Sequence, residues 1–94
     1  MSMTINNQED FQRVQRLVWG RFFGLLIQKG REKRGCSVEE LAHLAGMEPA
    51  EWLDVEAGHV PQSADQLRVM GAVLQFSKMQ LGTMVQLCRP GWDA

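Results

Sequence analysis

Apolar positions recur along this chain at intervals of three and four, the mark of helices that bury one face. From Gln8 to Arg34 the rhythm is unbroken, in one long helix or in two. Phe11, Val14, Val18, Phe22 and Leu25 form one stripe, and Phe23, Ile27 and Gly30 form another. A change of stripe predicts a break or a second buried face, and Gly20 or Gly24 would permit a bend. From Ser37 to Gly58 the pattern predicts two short helices around a tight turn. Ser37 is an N-cap, and Glu40 completes a capping box. Leu41, Ala42, Leu44 and Ala45 then make an apolar stripe. Gly46 ends the first helix in the left-handed conformation, and Met47 follows as an apolar plug. Pro49 opens the second helix, whose inner face carries Trp52 and Val55, and Gly58 ends it. His59 to Gln62 is a loop. Ser63 caps a helix over about Ala64 to Gln75, with Leu67, Met70, Val73 and Leu74 inward. Ser77 caps a last helix, with Met79 or Leu81, then Met84, Val85 and Cys88, on its apolar side. Arg89 to Gly91 ends it, and Trp92 is expected to fold back on the body.

Small Ala42 sits where two helices must cross closely, Gly46 sits at the turn, and Met47, Trp52 and Val55 lock one helix against the other. Arg31-Glu32-Lys33-Arg34-Gly35 precedes this unit. Glu56-Ala57-Gly58 with Pro61 (Glu-x-Gly-x-x-Pro) follows it, and then Leu67, Met70, Val73 and Leu74. This ordered set, laid without a gap from about Arg21 to Cys88, resembles the lambda-repressor-like (Xre/Cro-type) helix-turn-helix family. The resemblance implies an all-α, five-helix lambda-repressor-like DNA-binding domain, here with an extended N-terminal helix. It divides the chain into a disordered terminus (1–7), a helical extension (8–20) and the helix-turn-helix domain (21–94). It further implies that the second helix of the unit lies in the major groove, presenting Glu48, Pro49, Ala50, Glu51 and Asp54. The helix before it would point its start, near Cys36, Ser37 and Val38, at a phosphate. His59 would lie in the loop near the DNA, with Lys33 and Arg34 adding positive charge. Glu56 corresponds to the family's structural glutamate, which pairs with a first-helix arginine, here Arg31. The chain departs from the family at Val38, where glutamine is frequent, at the three acids of the reading face, and at His59, where relatives often carry arginine or lysine.

Charge changes this picture. The 94 residues carry a formal net charge of −1, so no global field draws the chain to nucleic acid. The distribution is strongly split. From Phe11 to Gly35 seven bases (Arg13, Arg16, Arg21, Lys29, Arg31, Lys33, Arg34) face one acid, Glu32, for +6. From Cys36 to Asp65 seven acids (Glu39, Glu40, Glu48, Glu51, Asp54, Glu56, Asp65) stand without Lys or Arg, for −7. Glu48, Glu51 and Asp54, each ~6–8 Å from a phosphate in water-like dielectric, together oppose binding by roughly 2 kcal/mol. Non-specific binding supplies about 5.5–8 kcal/mol, so the acids weaken association without forbidding it. A carboxylate also accepts from the cytosine amino group, which turns a general penalty into specificity. The plainer role of Glu48 and Glu51 is to favour the start of their helix through its dipole.

Two functions follow. One is a small sequence-specific, dimeric transcriptional regulator acting on double-stranded DNA. The other is a protein-interaction module, or an antitoxin-like protein, whose acidic helix docks on a basic partner. The N-terminal stripe reads either as a dimerisation surface for a homodimer or as an extra helix packed on the same core. No enzyme is expected, since His43 and His59 have no Cys, Asp or Ser at catalytic or metal-ligand spacing, and no cofactor or metal is implied. Cys36 and Cys88 read as reduced thiols of a cytoplasmic protein. Leu17 to Ile27 is short and carries Arg21, so neither a membrane span nor a signal peptide is expected.

Overall fold

One uninterrupted helix, α1 (Gln8–Arg34), carries the first third of the chain. It spans about 40 Å at 1.5 Å per residue, which accounts for most of the molecule's longest dimension of 47 Å. The computed structural model describes residues 8–92; residues 1–7, where a disordered terminus is expected, lie outside them. Four shorter helices follow: α2 (Val38–Ala45), α3 (Pro49–Glu56), α4 (Ala64–Val73) and α5 (Lys78–Cys88), then a 3₁₀ turn over Arg89–Gly91. The described residues contain no strand, and no helix among them is long and apolar enough to cross a membrane.

The helix boundaries come from local chemistry. The Ser37 hydroxyl accepts from the Glu40 N–H at 3.1 Å, and the Ser37 N–H donates to the Glu40 carboxylate at 3.1 Å. Ser77 and Gln80 form the same box at the start of α5, whereas at α4 the Ser63 hydroxyl accepts from the Gln66 N–H and the Gln66 side chain accepts from the Gln62 N–H instead. Gly46 takes φ +69°, and the Met47 N–H reaches back to the Ala42 carbonyl at 2.8 Å. That is the Schellman closure, with Met47 as its apolar contact. Helix α4 stops at Val73, two residues short of the expected Gln75. Gln75 itself adopts φ +62°, which breaks the helix, and its side-chain oxygen accepts from Arg34 at 3.0 Å.

Phe23 and Ile27 of α1, Leu41 and Ala42 of α2, Trp52 and Val55 of α3, and the inner residues of α4 and α5 form one core. Leu81, not Met79, turns inward; Met79 is 83% exposed. Val73 is half-buried. Trp92 folds back, its indole N–H donating to the Pro61 carbonyl at 2.6 Å.

One expectation is corrected and two open alternatives are decided. Leu44 is 66% exposed, outside the α2 stripe. The neighbours α3 and α4 cover only the arc of Val38, Leu41, Ala42 and Ala45, and Leu44 falls beyond its edge. The first α1 stripe is not packed on the shared core: Phe11, Val14, Val18, Phe22 and Leu25 are all between 43 and 52% exposed. A continuous helix cannot turn both stripes to one side, and Phe23 and Ile27 take the inner one. Finally, Gly20 and Gly24 do not break α1. A Cβ at Gly24 would run into the Val55 carbonyl oxygen, and one at Gly20 into that of Gly58. The glycines let α1 lie backbone to backbone on α3 and the loop after it.

Gly24→Ala is therefore expected to cost about 1–3 kcal/mol through forced displacement of α3. Gly82→Ala, where an added Cβ meets open space, is expected to gain about 0.5–1 kcal/mol; urea unfolding of both variants checks this. Burial raises the Cys88 thiol to about 11, while Cys36 is only half-buried. A thiol reagent at neutral pH should modify Cys36 in the native protein and Cys88 only on unfolding, as read by mass spectrometry.

Candidate functional site

The two-helix unit α2–α3 is held from below by one carboxylate. Glu56 ends α3, and its side chain is 7% exposed. Arg31 of α1 grips it with both arms of the fork, Nε to Oε2 at 2.7 Å and Nη2 to Oε1 at 3.0 Å. The Trp52 indole N–H donates to the same Oε2 at 2.7 Å. The third donor of Arg31, Nη1, reaches the Cys36 carbonyl at 3.3 Å, in the turn that leads into α2. The hydrogen bonds that Arg31 donates to the Glu56 carboxylate, more than the charge of that carboxylate, hold the guanidinium pKa above its ordinary value. The Arg31–Glu56 pair thus ties α1, the α1–α2 turn and α3 together, and fixes how α3 is presented.

The opposite side of α3 faces solvent. Ala50, Leu53, Asp54 and Ala57 are exposed there, with Glu48 at the helix start. Pro49 and Glu51 are half-buried. The Glu51 carboxylate turns back to accept from the Glu48 N–H at 2.9 Å. It is engaged in capping its own helix, the role that its position in the first turn favours. Of the three acids assigned to the reading face, only Glu48 and Asp54 remain open on it.

Ser37 and Val38 stand at the start of α2, the Val38 side chain packed partly on the core. The capping box of Ser37 and Glu40 already occupies two amide donors of that terminus. His59 is exposed in the loop; with Glu51, Asp54, Gln62 and Gln66 it lines a cleft of about 230 Å³ between α3 and the start of α4.

Lys33 and Arg34 are not brought beside α3. Arg31 faces α3, and a position two residues on is rotated by about 200° around a helix. Lys33 accordingly lines a groove between α1 and α5 that Phe22, Phe76 and Met79 also line. Arg34 is directed to Gln75 at the end of α4. Leu53, 51% exposed in the middle of the open face of α3, escapes sequence reasoning. Its neighbours Trp52 and Val55 claim the inner face, and a helix of eight residues has little room for a second apolar arc. Among the described residues no three His, Cys, Asp or Glu side chains are grouped to hold a metal ion.

Truncating Glu56 strands the Arg31 guanidinium and the indole N–H together. Glu56→Ala is expected to cost about 3 kcal/mol, the low end for a broken buried pair because Arg31 keeps some access to water. Glu56→Gln retains an acceptor for the indole and should fall between it and the parent in denaturant midpoint. Compared with known proteins, the chain matches no family model, no curated protein and no solved structure.

Proposed function

We propose that this chain is a small sequence-specific DNA-binding regulator of the lambda-repressor-like type, with α3 entering the major groove. The observation that carries the reading is the way α3 is mounted. A left-handed turn at Gly46 sets it across α2, Glu56 anchors its inner side, and its outer side is a narrow solvent-facing strip. Ala50 and Ala57 keep that strip low enough for close approach to base edges. Leu53 supplies an apolar contact suited to a thymine methyl, and Asp54 an acceptor suited to a cytosine amino group.

The electrostatic objection is smaller than the acid count implies. Glu56 is paired with Arg31, and Glu51, though still charged, is drawn back onto the start of its own helix. The two open acids, Glu48 and Asp54, oppose binding by about 1 kcal/mol at ~6–8 Å from phosphate in water-like dielectric. That is small beside the roughly 5.5–8 kcal/mol of non-specific attraction.

A second reading is a protein-interaction module that presents the same face to a basic partner. Exposed Leu44 and Leu53 favour it, because apolar anchors ringed by acids suit a protein interface as well as a groove.

Selection of bound fragments from genomic DNA, followed by anisotropy titration at low salt, separates the two. The regulator reading expects a recovered consensus bound at least tenfold tighter than random duplex. Ala50→Glu, which fills the open strip without touching the core, should abolish that margin while leaving the circular dichroism unchanged. Asp54→Ala should lose preference at one base position if the carboxylate reads cytosine. Binding no tighter than to random duplex, together with capture of a basic protein through α3, would overturn the DNA reading.

A further inference from the structure

Helix α1 carries an apolar surface that nothing in the described chain covers. Phe11, Val14, Val18, Phe22 and Leu25 follow one another at intervals of three, four, four and three residues. The mean of about 3.5 is the period of a seam between two long helices. At about 100° per residue, the seam lies on the side of α1 opposite Phe23 and Ile27, which face the core. Leu17, 60% exposed, widens it on one flank. On the other flank a groove of about 590 Å³ between α1 and α5 exposes Phe22, Leu26, Phe76 and Met79. On the same face the seam gives way to Lys29 and Glu32, 3.9 Å apart.

We infer that this seam is a homodimer interface in which two copies of α1 pair antiparallel about a two-fold axis at Val18. Two features select this occupant. The first is the interval pattern, which reads the same in both directions. An antiparallel pair centred on Val18 sets Val14 of one copy against Phe22 of the other and Phe11 against Leu25, so every apolar position meets an apolar position, as in a parallel pair, and the direction is left to charge. The second is charge. Lys29, Arg31, Lys33 and Arg34 crowd the C-terminal end of α1. A parallel pair would bring two such clusters together. An antiparallel pair separates them by about 40 Å, far beyond the screening length.

The geometry also leaves room. The core of each copy lies on the face of α1 away from the seam, so the two bodies sit on opposite sides of the helix pair. The exposed parts of the five seam residues and Leu17 amount to about 500 Å² per copy. Complete burial of these parts in both copies reaches about 1,000 Å², the threshold for a specific interface, before the groove edge at Met79 is counted. The inference is independent of what α3 binds.

Sedimentation equilibrium of the full chain up to about 0.2 mM tests it, with cross-linking to fix the direction. The expected result is a dimer whose dissociation constant rises at least tenfold in Val18→Glu, with unchanged circular dichroism. Val14→Glu and Phe22→Lys should each weaken self-association, and an equimolar mixture of the two should restore a dimer. In a Cys36→Ser background, oxidation should join Phe11→Cys to Leu25→Cys chains but not Phe11→Cys chains to one another. A monomer throughout the concentration range, a dimer indifferent to Val18→Glu, or self-cross-linking of Phe11→Cys would each overturn the inference.

Discussion

The close seat of α1 on α3 is the contact on which the remaining geometry depends. Two glycines remove every side-chain atom that would hold the backbones apart, and the carbonyls of Val55 and Gly58 occupy the space so freed. At that separation Arg31 reaches Glu56 bidentately, and the same carboxylate still takes the Trp52 indole. A larger gap would lengthen those bonds and open the core beside Trp52 and Phe23, both fully buried. Steric permission and ionic attachment therefore act on one interface, and each needs the other. The glycines supply no attraction, and a half-buried ion pair alone contributes little net stability.

The consequence is a protein with two unlike sides. One presents the outer strip of α3, narrow, acidic at its start and anchored from behind. The other presents the apolar seam of α1, turned away by the pitch of a single helix. Because α1 is continuous, it couples the two sides mechanically: its Arg31 fixes α3, and its opposite face, one diameter away, meets solvent. A dimer built on that seam would set two α3 helices in fixed relation, which a regulator bound to a two-fold DNA site requires.

The charge split of the sequence resolves into separate roles in space. Glu40 and Glu51 close capping boxes, and Glu56 is neutralised by Arg31. On the basic side, Arg31 and Arg34 are engaged within the fold, and Lys33 lines the groove toward α5. The +6 and −7 totals thus overstate both the repulsion at α3 and the positive charge available beside it. Counting charge along a chain treats every carboxylate as equally exposed, whereas hydrogen bonding to backbone N–H and to guanidinium ties several of them to the protein itself.

What the amino-acid sequence determined by itself was the local grammar. Ser37, Ser63 and Ser77 start helices, Gly46 stops one, and Pro49 opens another, because each acts on backbone groups within five residues. The Arg31–Glu56 pairing was legible only through resemblance, not from spacing. The tertiary structure alone decided which stripe of α1 is core, since both have helical periodicity and only the position of the neighbouring helices distinguishes them. It also gave Gly20 and Gly24 their purpose, turned Lys33 away from α3, and left Leu44 and Leu53 in solvent. These outcomes depend on what stands opposite a residue across the fold, information that no run of neighbours along a single helix contains.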